Sequence, residues 1–281
     1  MQLNATSSPA TATRSERVLG RLGFLRPTRD KPAIHIRPLG NGERSALPDE
    51  AYETRDVWVE DVRGRRGEFS LDREGVRFID HRSSVTDWFD AEQLSERYYR
   101  EAEDLIREAT GARRVIVFDH TLRAMSEQAR RDRGTREAVS FVHADYTDKS
   151  GPQRIVDLLG EAEAGRAARV AFYNLWRPIN EHAEANPLAY VDGATLDPES
   201  LVATDLVYPD RVGEVAHALF DPKARLIYLG NQSPDEVALF KTFDTRTDVT
   251  RFIPHGAFHK LSGPAPTGDR MSVELRTIAL F

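Results

Sequence analysis

His143 and Asp145, then His255, then Arg270 and Ser272, are the side chains whose types and spacing could do chemistry. They spell His-x-Asp, a second His 110 residues beyond the aspartate, and Arg-x-Ser starting fifteen residues after that. On an extended strand residues i and i+2 share a face, so His143 and Asp145 can aim at one metal ion, with His255 completing the set from a distant strand. Two imidazoles and one carboxylate form the facial arrangement that leaves positions of an octahedral iron(II) open, enough for a bidentate 2-oxo acid and dioxygen. An arginine and a hydroxyl two residues apart would meet the distal carboxylate of a 2-oxo diacid. Arg270 and Ser272 are therefore the candidate cosubstrate clamp.

A lone His-x-Asp arises often by chance, and a strand histidine is more often a satisfied core residue than a ligand. The reading rests on four matched parts in order. Among rival histidines, His120 follows Asp119 directly, so the two point apart on a strand. His259 would share a face with His255 only on a helix, and PHGAFH reads as strand or loop.

The elements that must position these residues follow from hydrophobic periodicity. DRMSVELRTIALF alternates, with Met271, Val273 and Leu275 on one face and Arg270, Ser272, Glu274 and Arg276 on the other. Strands are expected at 33–36 and 57–62, as two strands with a turn within 67–79, at 114–118 as a buried run, and at 141–146, 170–179 and 188–193. Residues 226–229 and 237–243 read as a strand pair joined by NQSPDE. Helices are expected over 91–109, with Gly111 as the stop, over 151–164, and briefly over 210–218. Strands crowd the second half without regular helix alternation, which points to a mainly β fold with flanking helices, an antiparallel jelly roll. One domain spans 17–281, a decorated N-terminal part over 17–112 and a core over about 113–281, behind a disordered tail at 1–16 rich in Ser, Thr, Ala and Pro.

Composition narrows the functions. The net charge of −6 and scattered basic residues do not indicate a nucleic-acid surface, and VRGRRG and RRDRGTR read as solvated loops or helix ends. With no cysteine there is neither a disulfide framework nor a thiolate metal site, so only nitrogen and oxygen ligands remain. No signal-peptide pattern and no apolar run of about 18 residues is seen, which reads as a cytoplasmic protein away from membranes.

In NLWRPI, Asn174, Trp176 and Pro178 share one strand face and Tyr173, Leu175 and Arg177 the other. One face could line a cavity, with Asn174 beside the cosubstrate and Trp176 as a wall, or with Arg177 gripping a substrate carboxylate. Alternation sets these at odds unless a bulge intervenes. Arg123 in HTLR is a second candidate for an anionic substrate. Polar loops at 180–187 and 261–268 are candidate lids.

The segments VIVFDHTLR, VHADYT with Arg154 after it, NLWRPI, PLAYVDGATL, SPDEVALFKTFD, IPHGAF and RMSVELRTIAL resemble a family of 2-oxoglutarate- and iron(II)-dependent oxygenases. That family includes a fungal gibberellin desaturase, a cephamycin 7-alpha-hydroxylase component and an aziridine-forming enzyme. The resemblance covers about residues 50–281. It implies a double-stranded β-helix core, iron(II) on His143, Asp145 and His255, 2-oxoglutarate on Arg270 and Ser272, and dioxygen as the other cosubstrate. The step from His255 to Arg270 is longer than usual for such enzymes because SGPAPTGD is inserted. A small secondary metabolite or amino-acid derivative, anionic if Arg123 and Arg177 bind it, is the implied substrate. Hydroxylation, desaturation and ring closure all stay open, whereas halogenation is disfavoured because Asp145 stands where a halogenase has a small residue. The alternatives are a non-catalytic metal-binding jelly roll and a helper subunit of a hydroxylase–methyltransferase pair.

Overall fold

Val170–Pro178 and Glu236–Asp244 are buried at every position, so each strand must be covered on both faces. Two packed sheets with helices outside satisfy that demand. The structure, a computed structural model, describes residues 16–36, 47–184, 186–263 and 268–281. Apart from Glu16, the expected tail at 1–16 lies outside the described residues, as do 264–267 of one candidate lid and Ala185 of the other.

In chain order the strands and helices begin with β1 (Arg17–Leu25), β2 (Ala33–His35), β3 (Tyr52–Asp61) and β4 (Val76–Asp80). Helices α1 (Ala91–Gln93) and α2 (Tyr99–Thr110) follow, joined by a π turn at Leu94–Tyr98. Then come β5 (Arg114–Ala124), α3 (Glu127–Arg133), β6 (His143–Ala144), α4 (Ser150–Leu159) and α5 (Glu161–Ala164). The chain continues through β7 (Val170–Pro178), β8 (Leu188–Val191), β9 (Leu201–Val207), β10 (Val212–Ala218) and β11 (Leu226–Tyr228). It ends with β12 (Glu236–Asp244), β13 (His255–Ala257), β14 (His259–Lys260) and β15 (Met271–Leu280).

The large sheet runs β14, β1, β3, β11, β8, β13, β6, β10, β9, β2, and the small sheet β4, β12, β7, β15, β5. Phe78, Trp176 and Phe240 of the small sheet pack on Leu188, Tyr190 and Ile227 of the large one, so the two sheets face each other. This is the expected mainly β jelly roll. The outer face of the small sheet, with Tyr173, Leu175, Val273 and Leu275, is covered by Leu94, Tyr98, Ala102 and Ile106 at helical spacing. Residues 17–112 place β1, β2 and β3 in the large sheet and β4 in the small one.

Asp90 caps α1 by accepting from the amides of Glu92 and Gln93. Gly111 ends α2 at φ 75°, its N–H on the Arg107 carbonyl at 2.9 Å. A Cβ there would meet no atom within 4 Å, so Gly111→Ala strains only the backbone. It is expected to cost about 1 kcal/mol, read as a lower urea midpoint at unchanged slope.

Several expected elements differ. Residues 212–218 form a strand, because the turn that returns the Tyr208 N–H to the Arg211 carbonyl makes β9 and β10 a hairpin. β11 and β12 sit in opposite sheets and do not pair, since the Gln232–Asp235 turn crosses between layers. Within 67–79 only β4 is a strand; Arg63–Glu68 is a 3₁₀ turn whose arginines pair with Glu60, Glu68, Asp80 and Glu236. β5 is an edge strand, alternately buried rather than wholly so. The helix expected over 151–164 breaks at Gly160 into α4 and α5.

Candidate active site

Four strands of the large sheet set Tyr190, His255, His143 and His217 opposite one another in one row. Cross-strand partners project to the same face. That face meets the small sheet: Phe240 lies 4.6 Å from the His255 ring and 5.1 Å from the Tyr190 ring.

Asp145 falls in a bend just after β6 rather than on the longer strand expected at 141–146. Its carboxylate nevertheless comes to 3.6 Å from His143 Nε2. One ligand atom from each of His143, Asp145 and His255 lies within 4.8 Å of the others. His143 Nδ1 donates to the Phe141 carbonyl at 3.1 Å, and His255 Nδ1 to the Ile253 carbonyl at 3.3 Å. A carbonyl only accepts, so both rings carry hydrogen on Nδ1 and leave Nε2 bare, the lone pair a metal needs. Burial, reinforced by His255, pushes His143 down to about 3 and keeps it neutral. Burial opposes the charge on Asp145. Arg276, both imidazoles and Asn174 outweigh that cost and hold the carboxyl well below its ordinary range.

The small sheet supplies the support. Asn174 and Arg276 are cross-strand partners on β7 and β15. Asn174 Nδ2 donates to Asp145 Oδ2 at 2.7 Å, and Arg276 Nε approaches the same oxygen at 3.6 Å. Asp119 and Glu274, each 2.8 Å from Arg276, fix the guanidinium in turn.

Arg270, Ser272, Glu274 and Arg276 alternate with the core residues Val273 and Leu275, so they face inward as the sequence alternation implied. Arg270 and Ser272 are 2 % and 1 % exposed, yet Arg270 Nε, Ser272 Oγ and the buried Tyr190 hydroxyl have no hydrogen-bond partner among the described residues. Burial, then Arg123, pulls Arg270 down to about 10. Its guanidinium lies 5.5 Å from the Trp176 ring. Buried donors left without partners beside a cation suit an anionic ligand, so the residues present fit both a metal and a carboxylate.

Arg123, Trp176, Leu188, Val139, Arg270 and Glu274 enclose, with His143 and His255, a cavity of about 20 Å³. Arg177 lies outside it, which corrects one expectation. Strand alternation turns it to the helical side, where it donates to His81 Nδ1 at 2.6 Å and stacks near Trp88 and Tyr98. Asn174 is on the inner face, with its amide on Asp145. His120 bonds to Tyr99 and His259 is exposed on β14, both away from the triad. Sequence reasoning missed Tyr190 and His217, whose places depend on strand register, and gave no role to Glu274 and Arg276, although alternation had already put them on the clamp's face.

The oxidoreductase/YMDC permease-like domain family matches residues 22–280. Among curated relatives, the hydroxylase/desaturase efuI of Hormonema carpetanum is 31 % identical over 82 % of this chain and 85 % of its own length. The alpha-ketoglutarate-dependent dioxygenase tstK of Talaromyces stipitatus is 27 % identical over 80 % and 84 %. Among solved structures, the iron and alpha-ketoglutarate-dependent endoperoxidase NvfI superposes with a TM-score of 0.80 at 22 % identity, over 96 % of this chain and 99 % of that one. Fold and site together define a non-haem oxygenase of the jelly-roll type. The chain belongs to the matched oxidoreductase family, in which it stands among fungal iron(II)- and 2-oxoglutarate-dependent dioxygenases. No helix among the described residues is long and apolar enough to cross a membrane.

Proposed function

We propose that the protein oxidises a C–H bond of a small secondary metabolite or amino-acid derivative bearing an anionic group, using iron(II), 2-oxoglutarate and dioxygen. The observation that carries this reading is the convergence of His143, Asp145 and His255 within 4.8 Å, with His143 and His255 lining one cavity with Arg270, whose Nε has no hydrogen-bond partner among the described residues. His143, Asp145 and His255 would hold iron(II), and Arg270, Ser272 and Tyr190 the distal carboxylate of 2-oxoglutarate. Bound there, iron(II) supplies dioxygen activation coupled to decarboxylation of the 2-oxo acid to succinate.

The protein's own share is orientation and exclusion of water. Asn174 and Arg276 keep Asp145 charged and aimed. Trp176 and Leu188 wall the cavity, and Arg123, one nitrogen on the Glu137 carbonyl at 2.6 Å, is the cation placed to meet a substrate's anion. The reducing cytoplasm, which keeps iron ferrous, is the compartment this chemistry fits.

With iron(II), 2-oxoglutarate and air the purified protein is expected to form succinate and carbon dioxide in equal amounts, and none when zinc replaces iron. Absence of succinate at confirmed iron loading would contradict the reading. Asn174→Ala removes only a support of the carboxylate ligand, and is expected to weaken iron(II) binding by about tenfold to a hundredfold, measured by anaerobic competition with a chelator.

A further inference from the structure

One end of the imidazole row runs on into a tyrosine. Beyond His143, the next strand places His217, 1 % exposed, in register with it. His217 Nδ1 lies 2.8 Å from Thr204 Oγ1, and its Nε2 lies 3.2 Å from the Tyr52 hydroxyl. The Thr204 hydroxyl has the Val202 carbonyl at 3.5 Å to donate to, which leaves its oxygen as the acceptor for Nδ1–H. That tautomer makes Nε2 a base facing the Tyr52 O–H. The half-buried Tyr52 ring is stacked on Phe141 at 4.8 Å, and Phe141 meets the His143 ring edge to face at 5.6 Å. A phenol with its own proton acceptor is thus coupled by aromatic contact to a proposed metal ligand.

We infer that Tyr52 and His217 form a redox pair that delivers one electron to the centre when oxidation starts without a substrate to attack. This rests on the iron and 2-oxoglutarate reading above. The Tyr52 O–H bond breaks, its proton passes to His217 Nε2, and one electron travels by way of Phe141 and His143. It reduces the oxidant that dioxygen and the 2-oxo acid generate at the metal. Tyr52 is left a neutral phenoxyl radical, His217 an imidazolium, and the oxidant one electron richer. Tyr190 is nearer the ligands, one strand from His255, but its hydroxyl is assigned above to the 2-oxoglutarate carboxylate and has no imidazole acceptor of its own among the described residues.

The test is freeze-quench electron paramagnetic resonance of the iron-loaded protein mixed with 2-oxoglutarate and dioxygen, without substrate. The wild type is expected to show a tyrosyl radical whose hyperfine pattern narrows with ring-deuterated tyrosine. Tyr52→Phe should lose the signal and should inactivate in fewer turnovers. Thr204→Val, which lets hydrogen move to Nε2, should reduce the signal while Tyr52 remains. An unchanged radical in Tyr52→Phe, or none in wild type that forms succinate, would overturn the proposal. Failure of the wild type to bind iron and 2-oxoglutarate anaerobically would instead overturn the functional reading, and this inference with it.

Discussion

Asp145→Ala will abolish succinate formation, with a loss of about a thousandfold or more, equivalent to about 4 kcal/mol in the barrier. Asp145 is the one carboxylate of the triad, and without it iron(II) is left with only the two imidazoles of His143 and His255. The fold should survive the change. Arg276, which lies 3.6 Å from Asp145, keeps Asp119 and Glu274 at 2.8 Å and so is not stranded as a buried unpaired cation. Asn174 loses its acceptor, a smaller cost. The check is succinate yield alongside circular dichroism. Near-native turnover in a folded variant would remove Asp145 from the metal site.

Arg270→Met will act in opposite directions on ligand binding and on stability. A guanidinium with an unpartnered Nε, 2 % exposed and pulled down to about 10, is a buried charge without full compensation. Removing it is expected to stabilise the ligand-free protein by about 1–3 kcal/mol. A base whose folded pKa lies below its unfolded value binds fewer protons in the folded state. The cost is therefore fully present at neutral pH and is relieved as pH rises through about 10 toward the unfolded value. The same change removes the charge-assisted donors for the 2-oxoglutarate carboxylate, and the dissociation constant for 2-oxoglutarate should rise by about a hundredfold, close to 3 kcal/mol. Thermal melts with and without 2-oxoglutarate separate the two effects. The variant should melt higher than wild type alone, and only wild type should gain from the ligand. A variant that melts lower and binds 2-oxoglutarate normally would assign Arg270 a purely structural role.

The pairing of His143 with Asp145 and the inward face of β15 were legible because both are local, whereas His255, 110 residues beyond Asp145, was added from the order of the matched parts. His-x-Asp is a two-residue spacing, and strict alternation around Val273 and Leu275 sorts Arg270, Ser272, Glu274 and Arg276 onto one side. The face of β7 was not legible, since all nine of its residues are buried and no polar alternation marks the inside. Asn174 and Trp176 therefore could not be separated from Arg177, which the helical cover takes. Tyr190 and His217 enter the site through register across four strands, and register depends on partners distant in sequence. The hairpin strand β10 and the placement of β11 and β12 in opposite sheets escaped for the same reason, tertiary pairing overriding short-range pattern.

The measurement closest to the central claim is anaerobic titration of the metal-free protein with iron(II) and then 2-oxoglutarate, followed by the weak visible charge-transfer band of the chelate. One equivalent of each should develop the band in wild type, with none in His143→Ala and a weakened one in Arg270→Ala. Iron(II) that binds in wild type without any band on adding 2-oxoglutarate would contradict the cosubstrate assignment and leave a metal-binding jelly roll without oxygenase chemistry.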